Sequence, residues 1–311
     1  MSTYGSLVLN DTTYAGDVAS TFIRQAIVGS ELIAGGHVYV KDGIKKKFTI
    51  PRISVDDMVQ DYAVKPSSSG LTTIDAVTLE PSMYMIYKEF DPHDFEDHWF
   101  APEMQNMLIG RNLPATAEAA IVSTVLEYHA NYFDKALMQG DLTGATPYNK
   151  FDGFIKKALN NASVLDVTTT ATALTASNIV VELEKAYAKI PKALLYNKDF
   201  KFFVSYATSQ LYSDYQIAQA NKGVDVTNAG VMAYKGKTIV PLAGFPDNTI
   251  LGAVGTAGLN SNMWVGINST EDNQVSIGKL QNNSDVWYIK VLFKADTQFG
   301  FGAEVVLYKT V

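Results

Sequence analysis

Cysteine is absent from this 311-residue chain, which rules out disulfide staples, thiolate nucleophiles and thiolate zinc sites together. Any great toughness must come from packing and from contacts between molecules. Long apolar runs are missing too. No stretch approaches the ~18 consecutive apolar residues needed to cross a bilayer, and the start, Met1-Ser2-Thr3-Tyr4-Gly5, lacks the basic-then-apolar order of a secretion signal. These absences point to a soluble protein, made and kept in a cytoplasm, with no membrane partner. Positive charge is also in deficit. Lys and Arg number 25 against 32 Asp and Glu, a net charge of −7, the wrong sign for gripping phosphates through a broad basic face. Intimate nucleic-acid binding is disfavoured, while loose enclosure is not. What the chain does have is apolar residues, 47% of the total against 18% charged, enough for a core larger than one compact domain usually holds. Two lobes, or one lobe with long extensions, are expected.

The first ~35 residues scatter apolar positions between glycines without a closed period, as in an arm laid across something, with one short helix expected near residues 20–28. From His37 the character becomes extended. Val38-Tyr39-Val40 precedes Asp42-Gly43, a tight-turn signal, and Lys45-Lys46-Lys47 leads into Phe48-Thr49-Ile50-Pro51-Arg52-Ile53. A polar stretch through Ser67-Ser68-Ser69-Gly70 separates this from a second β-rich run over residues 71–87. Together they predict a long two-stranded excursion with a loose tip. Such a ribbon buries too little apolar surface to offset its ordering entropy, so something outside the chain's own core should support it.

The clearest element is a helix over residues 115–139. Asn112 and Pro114 mark its start and Gly140 its stop, and Ile121, Val125, Tyr132, Ala136 and Val122, Leu126, Phe133, Leu137 form two adjacent apolar rows. At 1.5 Å per residue it would run roughly 37 Å, a spine for a whole lobe. A second helix is expected from about Ser177, stopped by Pro191. Strands are expected at residues 200–206, 234–240, 249–253, 263–267, 274–280, 286–295 and 302–309, with a short helix at 208–220, making a mixed α/β lobe.

An arm, a β excursion, a spine helix, a mixed lobe and a returning C-terminal strand pair, in that order, resemble the tailed-bacteriophage major capsid proteins of the Hong Kong 97 fold, an α+β class. Two passages carry the resemblance within that order. Ala136-Leu137-Met138-Gln139-Gly140, Asp141-Leu142-Thr143-Gly144 and then Phe151-Asp152-Gly153-Phe154-Ile155 look like the family's helix, glycine loop and entry to the axial domain. Ala233-Tyr234-Lys235-Gly236-Lys237-Thr238-Ile239-Val240, followed by Gly244-Phe245-Pro246-Asp247-Asn248-Thr249-Ile250-Leu251, is similar to a strand–turn–strand passage inside that domain. The resemblance implies an N-terminal arm at residues 1–40, an extended loop at 41–80, a peripheral domain at 81–147 and 286–311 with the spine helix at 115–139, and an axial domain at 148–285. It further implies pentamers and hexamers closing into an icosahedral virion shell around double-stranded DNA, assembled in a host bacterial cytoplasm, with no catalysis and no cofactor. Portal and decoration proteins are the implied partners. Because the arm begins within a few residues of Met1, no cleaved leader is expected, and any scaffold should be a separate protein.

Several residues invite chemistry. Asp91, His93, Asp94, Glu96, Asp97 and His98 offer metal-ligand types, but the spacing is not His-Glu-x-x-His, and acids around Pro92 suit the first turn of a helix. Gly236-Lys237-Thr238 suggests a phosphate loop, yet its glycine spacing is wrong and Ile239-Val240-Pro241 continues as strand where a helix N-terminus is required. His129 reads as a helix-face residue and His37 as a loop or strand residue. No catalytic, cofactor or metal site is expected. Lys45, Lys46 and Lys47 are by default a solvated run; on the extended loop they could instead pair with acids of an adjacent subunit. No lysine-to-asparagine crosslink is expected from that loop. Alternative readings are an encapsulin-like compartment, a soluble α/β enzyme with its site near residues 91–98, and a tail-tube or minor structural protein.

Overall fold

The computed structural model of the chain describes residues 12–14, 30–56, 59–65, 67, 71–91, 115–167, 170–218, 232–268, 275–280 and 286–310. Fourteen strands and five helices follow one another among them. The strands are β1 (Thr12–Tyr14), β2 (Tyr39–Lys41), β3 (Phe48–Asp56), β4 (Leu71–Leu79), β5 (Ser82–Phe90), β6 (Leu165–Asp166), β7 (Phe200–Ser205), β8 (Ala233–Tyr234), β9 (Lys237–Leu242), β10 (Thr249–Val254), β11 (Met263–Ile267), β12 (Val275–Lys279), β13 (Trp287–Phe299) and β14 (Val306–Lys309). The helices are α1 (Glu31–Ala34), α2 (Ala115–Gln139), α3 (Phe154–Leu159), α4 (Ile179–Ala188) and α5 (Tyr206–Ala218). The expected spine helix is present with the expected limits. The helix expected near residues 20–28 lies outside the described residues.

One sheet is organised by β13. Its burial alternates from Trp287 to Phe293, as one covered face requires. Along one edge β13 pairs first with β12 and then with β11, and along the other with β5, from Trp287↔Phe90 to Ala295↔Ser82. β1 extends the sheet beyond β12, and β2 joins β11 in parallel. The covered face receives α2. His129, Phe133 and Phe293 are buried there with Tyr84, and His129 stacks on Phe293 at 3.6 Å between ring centroids.

The second sheet has the order β6-β14-β10-β7-β9-β8. Every residue of β10 is buried, and β7 is buried at all but one position, because this sheet is covered on both faces and cannot alternate. Phe203, Leu251 and Leu307 face a core shared with α2, α3 and the first sheet. Phe202, Ile250 and Tyr308 face a second core under α4 and α5. β7 runs straight into α5, since the Ser205 hydroxyl accepts from the Thr208 backbone N–H at 3.1 Å and caps the helix without a loop.

Three glycines explain why the two quoted passages are glycine-punctuated. A Cβ on Gly153 would sit 2.7 Å from the Ala136 carbonyl oxygen and from the Gly140 nitrogen, and one on Gly140 would sit 2.4 Å from the Phe151 oxygen. A Cβ on Gly244 would sit 2.5 Å from the Asp134 backbone, so the turn after β9 lies directly against the spine helix. At the Lys235-Gly236 turn the need is conformational: φ is +46° and +79°, the two-residue primed turn that joins β8 to β9.

Two expectations are corrected by the pairing. Asp42-Gly43 does turn, with Gly43 at φ +77°, but it does not make a hairpin, because β2 pairs with β11 while β3 pairs with β4. The C-terminal strands are not a pair: β13 belongs to the first sheet and β14, fully buried at Val306–Tyr308, to the second, with the 3-10 turn Gly302–Glu304 between them. β11 and β12 join the sheet of β5 and β13, whose long central strand offers them an edge, and β14 crosses to the sheet that needs a doubly buried apolar strand.

Candidate assembly surfaces

β3 and β4 form a two-stranded ribbon in register from Phe48↔Leu79 to Asp56↔Leu71, roughly 30 Å of paired backbone that joins neither larger sheet. Alternation sets its faces. Phe48, Ile50 and Arg52 share one face with their partners Leu79, Val77 and Asp75, while Ile53 and Ile74 pair on the other. At the root, Ile50 and Leu79 are buried with Ile44 and Trp264, and Phe48 packs beside them. Arg52 is the last tether: its guanidinium donates to the Gly300 carbonyl at 3.0 Å, pairs with Asp75, and lies 5.9 Å from the centre of the Phe301 ring. Beyond it the described side chains are open to solvent. Ile53 is 61% exposed and Ile74 74%, and in the tip Val59, Tyr62 and Val64 are between 87% and 94% exposed. At about 25 cal/mol per Å² of apolar surface, leaving these side chains in water forgoes several kcal/mol that a covering partner would supply.

Lys45, Lys46 and Lys47 are all exposed, at the ribbon's root rather than along its length. Lys47 pairs with Glu80 of its own chain at 3.1 Å, and the Lys45 carbonyl accepts from Lys294 Nζ at 3.4 Å. The run is thus partly anchored within the subunit.

A groove of ≈ 640 Å³ opens between α2 and β5. Thr124, Val125 and Tyr128 of the helix, Tyr84, Ile86 and Lys88 of the strand, and Lys150 are among the residues that line it. Met83, Met85 and Tyr87 alternate outward along β5, and Tyr128 is exposed on α2. The groove floor is a buried aromatic stack in which Tyr84 Oη lies 2.9 Å from His129 Nε2. Burial holds the Tyr84 phenol well above its ordinary pKa, with Tyr132 adding to the effect, so it stays neutral. Sequence reasoning placed His129 on the helix face without a partner; the partner comes from a strand 45 residues away.

The joint between arm and body holds the other titratable clusters. Asp134 on α2 accepts from the Ser30 hydroxyl at 2.5 Å and from the Glu31 backbone N–H at 3.0 Å, while the Glu31 carboxylate accepts from the Ala243 N–H at 2.9 Å. His37 Nδ1 lies 3.1 Å from Lys201 Nζ, which also donates to the Gly255 carbonyl at 2.8 Å. Burial, and then the Lys201 charge, push His37 down to about 4. In the second core Glu182 is buried on α4. Burial opposes its charge, but bonds from Lys185, the Tyr308 hydroxyl at 2.6 Å and the Thr172 hydroxyl at 2.9 Å hold its carboxyl below the usual range. Lys185 is its i+3 neighbour on α4, while Thr172 and Tyr308 come from other parts of the chain.

Lys237 is no phosphate ligand. Its buried Nζ donates to the Leu194 and Asn197 carbonyls at 3.0 and 2.6 Å, closing the turn that precedes β7. Of the acidic and histidine cluster at residues 91–98, only Asp91 lies among the described residues.

No protein-family model and no curated protein matches this sequence. Solved structures do. A chain of the satellite phage P4 procapsid matches with a TM-score of 0.62 at 12% identity, over 94% of this chain and 99% of that one. A chain of the capsid of a native GTA particle matches at 0.60 and 14%, over 92% and 91%. A chain of the cyanophage A-1(L) capsid matches at 0.54 and 11%, over 90% and 92%. The fold is the Hong Kong 97-type capsid fold. The capsid fold expected from the order of parts is therefore present over the matched length, and at these identities the likeness carries architecture.

Proposed function

We propose that this chain is the major capsid protein of a tailed bacteriophage, a structural subunit that self-assembles as pentamers and hexamers into an icosahedral head enclosing double-stranded DNA. The observation that carries the proposal is the ribbon: a β excursion of roughly 30 Å whose described side chains are buried only at its root and are apolar and exposed at its end, on a body with a capsid-protein fold. A chain with this surface gains by laying it over a neighbour. Residues 1–40 then serve as the arm, 41–80 as the extended loop, and the α2-bearing and α4-bearing regions as the peripheral and axial parts. Lys45 and Lys46 extend the contact to acids of the adjacent subunit. The mechanism is assembly: many small contacts, closed into a shell, act with high effective concentration. The acidic net charge fits a wall that encloses DNA without gripping it. Scaffolding, portal and any decoration proteins are separate partners, and assembly takes place in the bacterial cytoplasm before the protein resides in the virion.

Expression of the chain with and without the candidate scaffold of its genomic neighbourhood, followed by negative-stain microscopy, tests the proposal. Closed shells of uniform diameter are expected. Tubes, or a small discrete oligomer that persists at high concentration, would exclude it.

A further inference from the structure

Asp-Gly occurs twice in the chain, at Asp42-Gly43 and Asp152-Gly153, and the fold treats the two pairs oppositely. We propose that Asp42-Gly43 is a site of spontaneous covalent modification, at which the backbone isomerises from aspartyl to isoaspartyl through a succinimide. The proposal stands on the geometry of the turn and does not depend on the capsid reading.

At the first pair the reacting groups already touch. The Gly43 N–H donates to Oδ1 of Asp42, its immediate neighbour in the chain, at 2.6 Å. That contact sets the Asp42 Cγ, one bond beyond the oxygen, in front of the nitrogen that must attack it, and such proximity lowers the barrier to ring closure. Among the described residues this N–H has no other acceptor. Gly43 is exposed at φ +77°, and a Cβ there would meet nothing within 4 Å, so a ring and an attacking water both have room. Glycine also carries no side chain to screen its own nitrogen.

The second pair is locked against the same step. The Gly153 N–H is committed to the Gly140 carbonyl at 2.8 Å, Asp152 Oδ1 accepts from the Leu142 N–H at 2.9 Å, and Gly153 is buried against the end of the spine helix. Asp75-Ala76 repeats the first contact, with the Ala76 N–H 2.7 Å from Asp75 Oδ1. There, however, a methyl stands beside the nitrogen, Ala76 is held in β4 opposite Pro51, and the Asp75 carboxylate pairs with Arg52.

The chemistry needs only water. The Gly43 nitrogen forms a bond to Asp42 Cγ, and the carboxyl hydroxyl leaves with the amide proton as one water, closing a five-membered imide. A second water then opens the ring. Addition at the side-chain carbonyl restores aspartate. Addition at the main-chain carbonyl breaks the original peptide bond and leaves the chain running through Cβ and Cγ, with a free α-carboxylate. The consequence falls on the ribbon. The turn joins β2, held on β11, to Ile44, whose N–H donates to the Ile267 carbonyl at 3.2 Å and whose side chain is buried with Ile50, Leu79 and Trp264 at the ribbon root. An extra methylene in the main chain between these two anchors must displace one of them, which loosens the root.

The full-length chain is aged for weeks in heavy-oxygen water, one portion folded and one unfolded in urea, and its peptides are read by mass spectrometry and by enzymatic methylation of isoaspartate. In the folded portion, heavy oxygen and isoaspartate are expected at residue 42, several-fold above residue 152, with residue 75 unchanged. In urea the two Asp-Gly pairs should react alike. Isoaspartate at residue 42 in urea but not in the folded chain would mean that the turn protects the pair, and would overturn the inference; so would equal reaction at residues 42 and 152 in the folded chain. Asp42→Glu, which would have to close a larger ring, is expected to abolish the signal, and its persistence would place the chemistry elsewhere. Limited proteolysis reads the effect on the ribbon: the aged chain should be cut there several-fold faster than fresh chain, and aged Asp42→Glu no faster than its own fresh sample. Equal cleavage of aged and fresh unaltered chain would sever the link between the turn and the ribbon root.

Discussion

Replacing Gly244 with alanine should strongly destabilise the subunit. The added Cβ would lie 2.5 Å from the Asp134 carbonyl carbon and oxygen and 2.8 Å from the Lys135 nitrogen. Ordinary contact begins at 3.4 Å, so the turn after β9 and the spine helix must part by about 0.9 Å. The obstacle is helix backbone, which no side-chain rotation relieves, and this puts the cost at the upper end of overpacking, about 3 kcal/mol. Parting also weakens the bond from Gln139 Nε2 to the Gly244 carbonyl, 2.7 Å long, worth about 1 kcal/mol more. Two comparisons separate this cause from a generic glycine effect. Gly236→Ala meets open space but holds φ +79°, and should cost about 1–2 kcal/mol. Gly258→Ala has neither strain nor a close neighbour and should stay within about 0.5 kcal/mol. Urea titration followed by the fluorescence of the buried Trp264 and Trp287 reads all three as midpoint shifts at constant slope. A Gly244→Ala midpoint no lower than that of Gly258→Ala would refute the reasoning that the turn is wedged against the helix.

The remaining expectations concern the ribbon root and the arm. Leu79→Ala empties a fully buried position beside Ile44, Ile50 and Trp264, and should cost 2–5 kcal/mol in the same titration while speeding protease cleavage within the ribbon. Lys47→Ala removes an exposed ion pair to Glu80 and should change subunit stability by less than about 1 kcal/mol; a larger loss would show that the pair is structural. Lys45→Glu with Lys46→Glu should leave the unfolding midpoint alone and lower assembly at low salt, if these lysines meet acids on a neighbour. His37 has a folded-state pKa below its unfolded value, so the unfolded chain binds the proton first. The stability it contributes is present above about pH 6.5 and is lost as the pH falls toward about 4. His37→Gln should flatten that part of the pH profile, and an unchanged slope between the two pH values would contradict the assignment.

The spine helix was legible to the residue because its signals are local: a double apolar row at helical period and a glycine stop that Phe151 and Ala136 enforce. The ribbon was legible for the same reason only as far as Leu79: the second run, expected over residues 71–87, breaks at Glu80-Pro81, and Ser82–Phe90 pair with β13 instead. What the sequence hid is pairing at a distance. Asp42-Gly43 has hairpin chemistry, but β2 finds a better edge on β11; β14 looks like the partner of β13 until its two-sided burial sends it to the other sheet. The groove between α2 and β5 was invisible for a similar reason, since Tyr128 and Ile86 belong to elements that meet only in the fold. His129 and Glu182 acquired partners 45 and 126 residues away, separations at which no spacing rule operates.

Hydrogen exchange of the ribbon amides in assembled particles, set against dissociated subunits, probes most directly whether neighbours supply what the ribbon lacks. Amides from Ser54 to Lys65 should be protected in the particle and exchange rapidly in the free subunit, with the root near Leu79 slow in both. Equal exchange of the ribbon end in the two states would mean that no neighbour covers it, and the assembly account would fall.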